Sequence, residues 1–327
     1  MNYLALLLLV ILLFLLALPF YYPLHFERLK SHPNPVKDYA SVAKRLPALS
    51  TIEEGAVDSV GETTLLDHGQ QVEWAIALIH GYTNCPEQFR LLGEQFFNRG
   101  CNVLIPRQPH HGLIDRLNTA HGDLPAEELV LFTDNVVDIL HGLGRHTILC
   151  GLSGGGVMTA WAATFRSDLD IAMPIAPILG PHVTPTWLHR AVASLLVVLP
   201  NQFSWWDKDR KMGGGPKYAY PRYASRTIGE YMRLGELVLN QAHKKPPAAQ
   251  LVILVTNECD HAVDNVLVNQ LAELWRKRDA SGLRTYTFPL SLNVGHDLID
   301  PHQPDQRVDV VYPRLIEEIE AAKRFSS

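Results

Sequence analysis

From about residue 63 the chain alternates between two rhythms of apolar and polar positions. Short, mostly unbroken apolar runs cover residues 72–79, 102–105, 147–150, 171–178, 251–256 and 284–289. A run of that length with no polar face predicts a strand buried on both sides, as in a parallel sheet. Longer amphipathic segments lie between them, at 86–99, 125–143, 154–165, 228–242, 262–278 and 305–325. These predict helices. Pro86 stands where a first helical turn accepts proline, and Gly100 where a helix ends. Glu127 and Glu128 fall in a first turn, where the helix dipole favours acids. Strands alternating with helices predict right-handed crossovers and an α/β fold with a doubly wound sheet.

Two stretches break the rhythm. Residues 181–227 separate two predicted strands by far more than one crossover helix needs. They carry "WLHRAVASLLVVLP" and an aromatic, glycine-containing tract, and they read as a cap or lid inserted into a core formed by 51–180 and 228–327. Residues 4–22, "LALLLLVILLFLLALPFYY", are uncharged and long enough to cross a bilayer, with Tyr21 and Tyr22 at the interface. Residues 1–22 are therefore expected to be a membrane anchor. The rival is a cleaved signal sequence, disfavoured because no Lys or Arg precedes the run and no A-x-A site follows it. Residues 23–50, with Pro23, Pro33, Pro35 and Pro47, read as a linker. Arg28, Lys30, Lys37, Lys44 and Arg45 outnumber Glu27 and Asp38 there, so the body is expected on the cytoplasmic side of a bacterial inner membrane. Cleavage would make it periplasmic or secreted instead.

Composition changes this picture little. The 327 residues are 47 % hydrophobic, enough for a large core, and the formal charge of -5 offers no basic face to nucleic acid. Four widely spaced cysteines, Cys85, Cys101, Cys150 and Cys259, form no CxxC pair and support neither a zinc site nor a disulfide framework. Cys85 and Cys259 fall in loops, where a bridge between them is an alternative to free thiols.

The candidate chemistry starts at "CGLSGGG". Gly151-Leu152-Ser153-Gly154-Gly155 is G-x-S-x-G between a predicted strand and a predicted helix, the context of a nucleophile elbow. A serine needs a base to take its proton, and this arrangement delivers the partners in the order Ser, acid, His. Asp260 follows the strand "LVILV" and His296 follows the strand "TYTFPL", each beyond a strand's C-terminal end. Glu258 and Asp264 compete for the acid's role, and His261 and His302 for the base's. The oxyanion donors are expected to be the backbone N–H groups of Gly154 and Tyr82, the latter in the loop His80-Gly81-Tyr82-Thr83. Trp187, Trp205 and Trp206 of the insertion, and His110, are candidate substrate contacts. An unperturbed imidazole near 6.5 would place the rise of activity near neutral pH.

"LIHGYTNCPEQF", "IPRQPHHG", "GLSGGG", Asp260-x-x-Val263 and "GHD" at 295–297 resemble the α/β-hydrolase superfamily, most of all bacterial carboxylesterases and monoacylglycerol lipases. The resemblance spans about residues 63–325. It implies a mostly parallel sheet of about eight strands, a cap inserted after the sixth, an acyl-serine intermediate and no cofactor; the adjacent His110 and His111, with no acidic partner at ligand spacing, do not support a metal site. It implies hydrolysis of carboxylic esters; the aromatic residues of the insertion and the apolar N-terminal segment point to a lipophilic ester as the partner of the site. Two positions depart from the pattern. Gly154 stands where relatives often carry a larger residue, and His110-His111-Gly112 where they often have Gly-His-Gly. The same triad serves amide or peptide hydrolases, acyltransferases and perhydrolases. A homologue that binds without turnover is the alternative from another class; it ordinarily lacks a triad member, and all three stand here.

Overall fold

The apolar runs become the inner strands of one sheet. The structure, a computed structural model, describes residues 18–49, 55–278 and 281–326. Its strands are β1 Thr64–Leu66, β2 Val72–Ile79, β3 Asn102–Ile105, β4 Gly144–Leu152, β5 Ile171–Ile175, β6 Phe203–Trp205, β7 Arg222–Ala224, β8 Leu251–Asn257 and β9 Leu283–Phe288. Seven of them form the main sheet in the order β1-β3-β2-β4-β5-β8-β9, with only β1 antiparallel. Every residue of β3, β5 and β8 is buried, because helices cover both faces. The edge strand β9 alternates instead, as a half-exposed strand must.

Helices run α1 Val42–Arg45, α2 Glu87–Phe97, α3 Ala126–Leu143, α4 Gly154–Phe165, α5 His189–Val198, α6 Lys208–Lys211, α7 Ser225–Ala242, α8 Asn265–Lys277 and α9 Val308–Ser326. Strand β5 stops three residues short of the expected 178. Ala176 turns to φ 40°, which no strand continues, and Pro177 follows. The main sheet has seven strands among the described residues where about eight were expected. The described residues ahead of β1 make short helical turns and one isolated bridge, Val57 to Leu113, rather than a further strand. The long insertion accordingly follows the fifth strand, not the sixth. It holds α5, the hairpin-like pair β6–β7 and the one-turn helix α6.

Residues 23–49 do not behave as a linker. Leu24, Leu29, Val36, Val42 and Leu49 are buried, spaced so that a proline-broken chain drops one apolar side chain at a time onto the helices beneath. Trp161 of α4 donates its indole N–H to the Leu29 carbonyl at 3.0 Å. Asp134 and Asp138 of α3 accept the backbone N–H groups of His32 and Asn34. The same two acids pair with the fully buried Arg166, at 3.0 and 2.8 Å. A buried guanidinium is tolerable only with such partners, so the strap and the core share one polar knot.

The expected anchor lies, up to residue 17, outside the described residues. No helix among the described residues is long and apolar enough to cross a membrane.

Candidate active site

Strand β4 delivers Ser153 at its C-terminal end, and α4 begins at the next residue. Ser153 has φ 56° and ψ −108°, a sparsely populated conformation for a side chain-bearing residue. Such strain costs about 1–3 kcal/mol and persists only where the surroundings enforce it. Here they do. Its N–H donates to Ile175 O at 2.9 Å, and its carbonyl accepts from Val157 and Ile178. The flanking glycines are required by close approach: a Cβ on Gly155 would stand 2.1 Å from Ile79 O, and one on Gly151 2.2 Å from Gly155 O. Gly154 leaves room for the Tyr231 ring, which a Cβ there would meet at 3.0 Å. The departure at this position is thus filled from α7.

Asp260 lies beyond β8 and is buried. Its Oδ2 sits 2.6 Å from His296 Nδ1, while Oδ1 accepts from the N–H groups of Ala262 and Val263. Burial pushes its carboxyl up, but the His296 charge and these hydrogen bonds prevail and hold it below the usual carboxylate value. For His296 burial opposes the cation, yet the Asp260 charge and hydrogen bond, with Asp297 next in chain, raise it from 6.5 to about 9. The competing acids are occupied elsewhere. Glu258 accepts the Leu290 N–H on an exposed turn, and Asp264 caps α8 through the Val266 N–H. Ser153 and His296 line the same compartment of about 210 Å³, together with Gly81 and Tyr82.

The loop after β2 closes that compartment. Gly81 N–H is held by Gln88 Oε1 at 2.8 Å. The Tyr82 hydroxyl accepts from Ala224 N–H at 3.0 Å and donates to His121 Nδ1 at 2.9 Å. Burial pushes His121 down to about 3, so it stays a neutral acceptor. Thr83 takes φ 66° and makes three hydrogen bonds: its N–H to His111 Nε2, its carbonyl from Tyr220 N–H and its hydroxyl from Trp206 Nε1. Gly154 opens α4, so its N–H has no intrahelical acceptor.

Of the four expected substrate contacts, only Trp206 reaches the compartment. Trp205, the last residue of β6, lies instead under the Arg222 guanidinium at 6.0 Å. Trp187 stacks on Phe20, away from the cavity. His110 takes φ 63°, the conformation a glycine would adopt there, and its ring turns to Glu128 at 3.5 Å. The neighbouring His111 faces the site loop in its place. Sequence reasoning missed Arg210 and Asp297, which also line the compartment and pair at 3.3 Å. Arg210 sits in "DKDRK", a run that reads as solvated, whereas Asp297 was adjacent to the base and could have been singled out. A second, larger compartment of about 900 Å³ shares Ile178, Trp206, Ile228, Ala262 and His296 with the first, and adds apolar walls from Val183, Leu196 and Leu290.

A mostly parallel sheet covered on both faces, with a strained serine at a strand-to-helix turn and a His–Asp pair beyond two later strands, defines the class of α/β hydrolases. The chain belongs to the alpha/beta hydrolase family, whose pattern matches residues 76–311. It is 30 % identical over 106 residues to a thermostable monoacylglycerol lipase of Bacillus sp. (strain H-257), a match covering 31 % of this chain and 39 % of that one, about two-fifths of the relative's length. Among solved structures it is similar to a monoacylglycerol lipase of Paleococcus ferrophilus, with a TM-score of 0.61 and 17 % identity over 80 % of this chain and 98 % of that one. It is also similar to a soluble variant of the monoglyceride lipase of Saccharomyces cerevisiae, with a TM-score of 0.60 and 14 % identity over 81 % and 92 %. At these identities the two structures speak for the fold alone.

Proposed function

We propose that the protein is a serine hydrolase that cleaves carboxylic esters of lipophilic acids through an acyl intermediate on Ser153. The observation that carries this reading is a single compartment in which Ser153, on its strained elbow, and His296, 2.6 Å from Asp260 through its other ring nitrogen, line one wall. His296 Nε2 takes the Ser153 proton as Oγ attacks the ester carbonyl, and later returns it to the leaving alcohol. Asp260 holds Nδ1–H and stabilises the imidazolium. The backbone N–H groups of Tyr82 and Gly154 meet the developing oxyanion. Water then releases the acid by the same route. The apolar walls of the 900 Å³ compartment suit an acyl chain. Residues 181–227 serve as the cap over both compartments. The lipase names of the relatives agree with this choice of substrate class.

Residues 4–22 are proposed to tether the chain to a bilayer, with the body on the cytoplasmic side. The basis is their uncharged length and the excess of bases just beyond them.

The test is labelling with a fluorophosphonate probe, followed by turnover of esters graded in chain length. Ser153→Ala should lose both label and turnover while keeping its melting temperature. A variant as active as the parent would remove Ser153 from the mechanism.

A further inference from the structure

Helix α5 is built inside out. Its buried positions are the small or polar ones, His189, Ala191, Ala193 and Ser194. They let it lie close against α7, where a Cβ on Gly229 would meet Leu196 Cβ at 2.7 Å. Its exposed positions are large and apolar: Leu195 is 40 % exposed and Val198 53 %, the capping Leu199 that ends the helix is 50 % exposed, and Trp187 just ahead of it is 72 % exposed. Residues 195, 198 and 199 stand at i, i+3 and i+4 and so share one face. An apolar stripe of this kind marks a surface made to be covered.

The chain itself indicates the cover. Residues 4–17 are apolar throughout, and their continuation ends on this patch. Phe20 stacks on Trp187 with centroids 6.3 Å apart and planes 4° from parallel, and Arg190 Nε donates to the Phe20 carbonyl at 3.1 Å. A helix over residues 4–22 would be roughly 28 Å long, against about 30 Å of bilayer hydrocarbon. A span that ends at Phe20 sets Trp187, and α5 behind it, at the membrane surface by connectivity alone. Charge points the same way. Residues 181–227 carry seven Lys and Arg against only Asp207 and Asp209, in a chain whose overall formal charge is -5. Of these, Arg190 stands beside the apolar face, with its Nε on the Phe20 carbonyl, and a base at such a face is drawn to anionic headgroups. Val183 and Leu196 of the same segment line the 900 Å³ compartment, so its wall reaches the stripe.

We propose that the outward face of α5, with Trp187 and Phe20, docks on an anionic lipid bilayer, and that the larger compartment receives its ester from the lipid phase. The docking rests on the tether reading of residues 4–22 given above, and the experiment separates the two. The full chain is reconstituted in vesicles of phosphatidylcholine mixed with phosphatidylglycerol. Resistance to an alkaline carbonate wash reads the tether; a chain that washes off overturns tether and docking together. Docking is read by quenching of tryptophan fluorescence with lipids brominated near the headgroup. Quenching that falls substantially in Trp187→Phe supports it, and equal quenching in both proteins of a wash-resistant chain overturns docking alone. The double variant Leu195→Gln, Leu199→Gln should cleave a long-chain ester held in the vesicles about tenfold more slowly, from lost apolar burial, while cleaving a short-chain ester in water at the parental rate. Parental rates on both substrates overturn the proposal. So does a change in oligomeric state in the double variant, which would assign the face to a second copy of the chain.

Discussion

Trp206 donates its indole N–H to the hydroxyl of Thr83 at 2.9 Å, and this bond joins the insertion to the loop that closes the serine compartment. Thr83 is β-branched and left-handed, at φ 66°, so its conformation needs external support. Two of its three hydrogen bonds come from the insertion, through Trp206 and Tyr220. The neighbouring Tyr82 carries the proposed oxyanion donor. Trp206→Phe keeps most of the ring and removes the N–H. Losing one hydrogen bond of about 1–1.5 kcal/mol from the loop should lower kcat about tenfold. Steady-state kinetics on a short-chain ester check this: a change confined to KM would mean that Trp206 only contacts substrate.

The pH dependence departs from what an ordinary imidazole gives. His296 must be neutral to accept the serine proton, and its partners raise it to about 9. The value of kcat/KM should therefore climb with pH through the alkaline range toward about 9, not level off near 6.5. A profile already flat at pH 7 contradicts the pairing with Asp260. Stability should move the opposite way. The raised His296 contributes stability that is fully present below 6.5 and lost as pH rises through about 9. Asp260, held below 3.8, contributes stability present above that value and lost as pH falls past its lowered pKa.

Exchanging acids separates the triad member from its neighbour. Asp260→Asn should cut kcat by on the order of 10⁴, as the wrong tautomer does in the best-studied triad. Glu258→Gln should leave kcat within a factor of about three, because Glu258 only receives the Leu290 N–H on an exposed turn. The reverse ranking would transfer the role to Glu258.

Strain at the elbow is open to calorimetry. Ser153→Gly relieves φ 56° and should raise stability by about 1 kcal/mol while abolishing turnover. Ser153→Ala keeps the strain, so it should melt with the parent. If the glycine variant melts lower than the alanine variant, the conformation is not a strained one.

The N-terminal strap should behave as core. Leu29 is completely buried, so Leu29→Ala should cost about 2–5 kcal/mol, measured by denaturant unfolding. A linker residue would cost nothing measurable.

Sheet and helices were largely legible because burial imposes a periodicity. The expected runs 72–79 and 102–105 match β2 and β3 to the residue, and the helix at 154–165 matches α4. Short or unusual elements were not. Strand β1 has three residues of intermediate burial, and β6 and β7 have three each, too few to display a period. The strap at 23–49 was misread because its prolines resemble those of a linker, and only the helices beneath it reveal where its spaced leucines and valines go. Ser153, Asp260 and His296 were nameable from motif and order. Arg210 was not, because nothing local distinguishes a lysine- and aspartate-rich turn facing solvent from one facing a site.

By itself the sequence determined the alternation of strands and helices, the sharp glycine-flanked turn at Ser153 and the chain order of its candidate partners, since each is written in neighbours a few residues apart. Tertiary structure alone decided which of several acids and histidines meet, which tryptophan reaches the serine compartment, and that the partners of the imidazole at 296 raise its pKa above the ordinary range. Those outcomes depend on distance and burial between groups up to two hundred residues apart, and electrostatic and packing energies follow separation in space, not along the chain.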